Sequence, residues 1–109
     1  MKQVAAGVKT EHMSFIAEVG QATVEIVTSP CENVHDAASL FGEAIDLVKE
    51  AARTLGAGLL GSGSHPVTSP DSSLMTCKQR YDELLKAIGP PWLWFTATAS
   101  DQTHVCICE

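Results

Sequence analysis

The chain has 109 residues, 45% of them apolar and 18% charged, with a formal net charge of −6. That is the composition of one folded domain rather than a disordered tail, with too small a core for a large internal pocket. The acidic balance argues against nucleic acid or an anionic membrane as the main partner and suits divalent cations.

No run approaches the ~20 apolar residues of a membrane span. Met1 to Ala6 carries one lysine and no apolar core, so no secretory leader is expected. The cytoplasm is then the expected compartment, with Cys31, Cys77, Cys106 and Cys108 as free thiols.

Residues 1–14 are polar, lack a period and are expected to be mobile, with a first strand beginning between Met13 and Val19. Gly20-Gln21 marks a bulge or turn. Gln21 to Pro30 then reads as a strand with one carboxylate in its middle. Val24 and Ile26 face one side, and Glu25 and Val27 the other. Such a carboxylate is either solvated on an exposed face or held by a cation, and exposure is the default.

The region from Val34 to Leu55 is the clearest helix. Asn33 is an N-cap, with Asp36 three residues on. Ala37, Phe41, Ala44, Ile45, Val48, Ala52 and Leu55 form one stripe. Gly56 stands where a C′ residue belongs. Ala57 to Leu60 is expected to be a second strand, leading into Gly61-Ser62-Gly63-Ser64-His65-Pro66. Glycine-rich loops can bring N–H groups to a phosphate, but this one lacks P-loop spacing, and a flexible loop with an exposed histidine is the default.

A second helix is expected over Cys77 to Ile88, with Tyr81, Leu84, Leu85 and Ile88 on its apolar face and Gly89-Pro90-Pro91 ending it. Trp92 to Ala99 reads as a β-prone run; Trp92, Trp94 and Phe95 could form an interface between copies, with core packing the default for at least two of them. Thr103 to Cys108 alternates, so that His104, Cys106 and Cys108 share a face. Cys106 and Cys108 form a Cys-x-Cys pair; without a second pair they read as small half-buried hydrophobes rather than a zinc site. The expected fold class is α+β, a mainly antiparallel sheet with two helices on one face, in a single domain over 1–109.

Taken in order, Gln21-Ala-Thr-Val-Glu-Ile-Val-Thr-Ser-Pro-Cys31, Gly61-Ser-Gly-Ser-His-Pro66, Arg80-Tyr81 and Gln102-Thr-His-Val105 resemble the glutamate–cysteine ligase type 2 family. Its patterns include Q-V-E-I-V-T-P-x-C, S-G-T-H-P and H-V-H-V. The resemblance runs from about Ile16 to Ile107. It implies part of a glutamine synthetase-like catalytic domain, whose open sheet face holds Mg²⁺ or Mn²⁺, ATP and a glutamate-like amino acid. The implied reaction forms an amide through an acyl phosphate and belongs to glutathione biosynthesis. By position, Glu25 would be a metal carboxylate and His104 a second metal contact from a neighbouring strand. His65 would lie at the substrate or phosphate rim.

Three departures stand out. The family's G-x-E-x-E-F strand has no counterpart, and neither Glu11 nor Glu18 is in that setting. Cys106 replaces the second histidine of H-V-H-V. The chain also has well under half a ligase's length. Two functional classes follow. One is a fragment, split subunit or truncated relative of such a ligase, completed by a partner chain or a homo-oligomer through its sheet edges and inactive alone. The other is a non-catalytic metal- or metabolite-binding or assembly module derived from that fold.

Overall fold

A computed structural model describes residues 10–107. Its centre is an antiparallel ribbon of β1 (Met13–Ala17) and β2 (Val24–Thr28). The register pairs Met13 with Thr28, Phe15 with Ile26, Ile16 with Glu25 and Ala17 with Val24. The Gly20–Thr23 turn joins the strands, with the Thr23 N–H donating to the Gly20 carbonyl at 3.0 Å. Because side chains alternate, Met13, Phe15, Val24 and Ile26 lie on one face, and Ser14, Ile16, Glu25 and Val27 on the other. Of the stretch 1–14 expected to be mobile, residues 1–9 lie outside the described residues; Thr10 and His12 hydrogen-bond to Met13 and Ser29 through the backbone, and Met13 and Ser14 belong to β1.

The apolar face is covered by α1 (Val34–Thr54). Ala44 and Val48 pack with Met13 and Phe15, flanked by Val24, Ile26, Leu40 and Ala51. Both ends of α1 are capped. Asn33 Oδ1 accepts the N–H groups of His35 and Asp36 at 2.9 and 3.0 Å. At the other end Gly56, at φ +67°, donates to the Arg53 carbonyl, and Ala57 donates to that of Ala52. This pair of bonds is a Schellman motif and satisfies the last carbonyls.

A second cluster hangs from the β1–β2 connection. Residues 74–76 run beside 19–21, with Gln21 N–H donating to Leu74 O at 2.8 Å and Thr76 N–H to Val19 O at 2.7 Å. Here α2 (Gln79–Ile88) packs Tyr81, Leu84 and Leu85 with Val19, Met75 and Trp92. The class is thus α+β with an antiparallel ribbon.

Three expected strands do not form. Ala57–Leu60 is exposed and unpaired; a strand needs a neighbouring edge, and the chain leaves α1 through a glycine-rich exit without meeting one. Of the expected run Trp92–Ala99, only Thr98 pairs in strand fashion, through a single bridge to Ser64; Trp92–Thr96 instead lies in a 3-10 helix spanning Pro90–Thr96. Two prolines at its first positions hold φ near −65° and direct the chain into a helical turn. Trp92 is half-buried, stacked 4.6 Å from Phe95, but Trp94 and Phe95 are themselves 62% and 53% exposed, so only one of the three aromatics lies in the core. Thr103–Ile107 is irregular and exposed, having no strand beside it, and Cys108 lies outside the described residues. Cys106 is an exposed free thiol. Among the described residues no helix is long and apolar enough to cross a membrane.

Candidate functional site

The open face of the ribbon carries the acidic group. Glu25 is half-buried and sits across from Ile16 in the ladder. Continuing β1 by two residues from Ile16 brings Glu18 onto the same face, diagonal to Glu25. Burial first, and the like charge and hydrogen-bonding carboxyl of Glu18 next, raise the Glu25 pKa above the ordinary 4.5; the Lys78 ammonium pulls it partly back. Glu18 is held by its own backbone contact, its Oε2 accepting the Val19 N–H at 2.6 Å. Lys78 is fixed at the start of α2, donating to Ala17 O at 2.6 Å and to the Tyr81 hydroxyl at 3.2 Å, with its Nζ 5.0 Å from the Tyr81 ring centroid.

The neighbouring carboxyl groups of Glu18 and Glu25 form a hard oxygen donor set. Such a set suits a divalent cation, whose charge would relieve the repulsion. It is a partial set: among the described residues no group of three or more His, Cys, Asp and Glu side chains converges on a metal position.

His65 lies on the Gly-Ser loop, which is less free than its composition suggests. Ser64 forms an antiparallel bridge with Thr98. His65 N–H donates to Ala97 O at 2.8 Å, and Ala99 N–H to Gly63 O at 3.1 Å. The imidazole caps its own turn, its Nδ1 accepting the Thr68 N–H at 3.0 Å. His104 lies on the exposed irregular segment, so the late strand expected to carry it next to β2 is absent. Among the described residues no hydrogen bond joins Glu25 to His65 or His104.

Sequence reasoning missed Glu18, although counting back across the Gly20–Thr23 turn places it on the Glu25 face. It also missed Lys78, which reaches the ribbon only through the packing of α2 and has no local signal.

The family model for glutamate–cysteine ligase family 2 matches residues 1–108. The chain belongs to this family. Among the curated relatives that glutamate–cysteine ligase family 2 contributes, one is a provisionally named glutamate–cysteine ligase 2 of Corynebacterium glutamicum (strain R). It is 40% identical over 65 residues, which are 60% of this chain and 17% of the relative. A provisionally named glutamate–cysteine ligase 2-2 of Paenarthrobacter aurescens (strain TC1) is 34% identical over 76 residues, 70% of this chain and 20% of the relative. One of the same name from Rhodococcus jostii (strain RHA1) is 36% identical over 69 residues, 63% and 18% of the two chains. The chain therefore spans about a fifth of the length of the family 2 relatives it matches. No solved structure matches it.

Proposed function

We propose that the chain supplies one part of the cation- and nucleotide-binding face of an ATP-dependent glutamate–cysteine-type ligase. What carries this reading is Glu25, a partly desolvated carboxylate set against Glu18 on the open face of an antiparallel ribbon. Glu25 and Glu18 would hold Mg²⁺ or Mn²⁺ through carboxylate oxygens. Such an ion, when bound with ATP, offsets charge on the phosphate oxygens. Lys78 moderates the negative field of the pair from one side. His65 presents its ring to an anionic oxygen of phosphate or of a glutamate-like substrate. His104 is the second imidazole of the proposed set, and its role depends on the 103–107 segment docking as a strand. The remaining carboxylates, and the chemistry of amide formation, belong to parts of the family that this chain does not include. A partner chain or a second copy, joined through the ribbon edges, is the proposed source. The compartment we propose is the cytoplasm.

A second reading, a non-catalytic metal- or metabolite-binding or assembly module, is favoured by one observation: the segment bearing His104 and Cys106 is unpaired and exposed.

Mn²⁺ titration followed by electron paramagnetic resonance tests the first reading. The free-ion signal should fall on adding the chain. It should be restored by Glu25→Gln and by Glu18→Gln, each weakening binding at least about tenfold, as for loss of one buried charged contact. Equal binding by both variants and the parent would sink the assignment. Phosphate release from ATP with glutamate and cysteine, seen only when a complementary ligase segment is added, would decide for the ligase over the module.

A further inference from the structure

The two ring nitrogens of His65 face different partners. Nδ1 accepts the Thr68 N–H at 3.0 Å and lies 3.4 Å from the Val67 N–H; Nε2 lies 3.4 Å from Thr68 Oγ1. A backbone N–H can only donate, so Nδ1 must present its lone pair to the turn. In the neutral ring the proton then sits on Nε2. The backbone on which the ring is mounted is itself held, by the Ser64–Thr98 bridge and by the bond from His65 N–H to Ala97 O.

We propose that this turn biases His65 toward the Nε2–H tautomer, so that Nε2 is set to donate to an anionic oxygen of a phosphate-type ligand rather than to offer its lone pair to a metal ion. The anion part rests on the role given to His65 under the proposed function; the tautomer bias does not. Metal ligation needs an imidazole lone pair aimed at the ion. Here the Nδ1 lone pair is turned inward onto two N–H groups, and Nε2 carries a hydrogen. Thr68 Oγ1 is the nearest acceptor for that hydrogen, and it is the partner an incoming oxyanion would replace. Val67 and Thr68 are thus positioning residues that act through backbone N–H groups.

The test uses the full chain with ¹⁵N-labelled histidine, read by long-range ¹H–¹⁵N correlation. His104, on the irregular segment, serves as reference in the same spectrum. The ratio of Nε2–H to Nδ1–H tautomer at His65 should exceed that at His104 by about tenfold, the worth of one hydrogen bond. Equal ratios would overturn the bias. His65→Asn places an acceptor oxygen where Nδ1 stands and should keep the Thr68 amide protected from exchange. His65→Gln places a donor where Nε2 stands and should speed that exchange by about tenfold. The reverse order would also overturn the bias. Titration with inorganic phosphate should shift the His65 Nε2–H resonance in the parent. The amide of His65→Gln should respond to phosphate and that of His65→Asn should not. An intact bias with no phosphate response would overturn the anion role, and with it the part given to His65 in the proposed function, leaving the tautomer standing.

Discussion

Glu25 keeps its proton to a higher pH in the folded chain than in the unfolded one, because burial and the Glu18 carboxylate disfavour its charge. Between the two titrations the folded state binds more protons, so stability falls as pH rises through that window and stays lower above it. Glu25→Gln removes this loss. Urea melts should show the variant more stable than the parent at pH 7, with the gap closing below roughly pH 4, where both states hold the proton. A gap of the opposite sign would mean that Glu25 is paired with a cation rather than repelled. The same linkage applies to metal binding: Mn²⁺ affinity should begin to fall at a higher pH than for an ordinary glutamate. A different residue-scale constraint sits at Gly20. A Cβ there would lie 2.5 Å from the Thr96 carbonyl oxygen, which belongs to backbone and has little freedom to retreat. Gly20→Ala should cost about 1–3 kcal/mol through forced displacement of one segment from the other. Thermal melts followed at the Trp92 and Trp94 fluorescence would read it, and an unchanged midpoint would show that the two segments separate easily.

At the scale of elements, α1 is the part whose stability is most local. Asn33 Oδ1 satisfies two N–H groups, and Asn33 Nδ2 donates to Asp36 at 2.6 Å. Asn33→Ala should therefore destabilise the chain by about 1 kcal/mol, seen as a lower urea midpoint with little change in helical circular dichroism at low urea. By contrast, the surface pairs Lys49–Asp46 and Arg53–Glu50 are mostly exposed and should contribute only tenths of a kcal/mol. The same locality explains what could be read in advance. The caps, the stripe through Ala44, Val48 and Ala52, and Gly56 are short-range signals, and the helix ends within a residue of where they put it. The β2 alternation is equally local and places Glu25 correctly on the open face. The run Trp92–Ala99 is β-prone by residue type, yet Pro90 and Pro91 outweigh that preference. Ala57–Leu60 and Thr103–Ile107 fail for a different reason: a strand exists only beside another strand, and no local pattern supplies the neighbour. The candidate site divides in the same way. Glu25 is legible from the β2 alternation, Glu18 comes beside it only once the pairing is carried across the Gly20–Thr23 turn, and Lys78 arrives through the tertiary packing of Tyr81.

For the whole molecule, the notable property is how little is enclosed. Val48 is the one large side chain with under 2% exposure among the described residues, and the two apolar clusters are separate. Ile16 and Val27 flank Glu25 on the open face at 41% and 39% exposure, and the ribbon has two strands with no further partner on either edge among the described residues. An apolar face with open edges favours association. Sedimentation velocity should show mass rising with concentration, and Val27→Lys should reduce it by placing a charge at the centre of that face. Mass independent of concentration in the parent would argue that the open face is satisfied by water alone.

The hydrogen bonds from His65 to Ala97 and from Ala99 to Gly63 also bear on where this polypeptide can be cut. A shortened version ending at Phe95 would keep both helices and the ribbon yet delete the carbonyl from which the imidazole-bearing loop is suspended. Limited proteolysis within the Gly61–Ser64 stretch should therefore be slow in the intact chain and rapid in that truncation. Any boundary chosen for expression, or any tag fused near the carboxyl end, has to leave Ala97 to Ala99 in place.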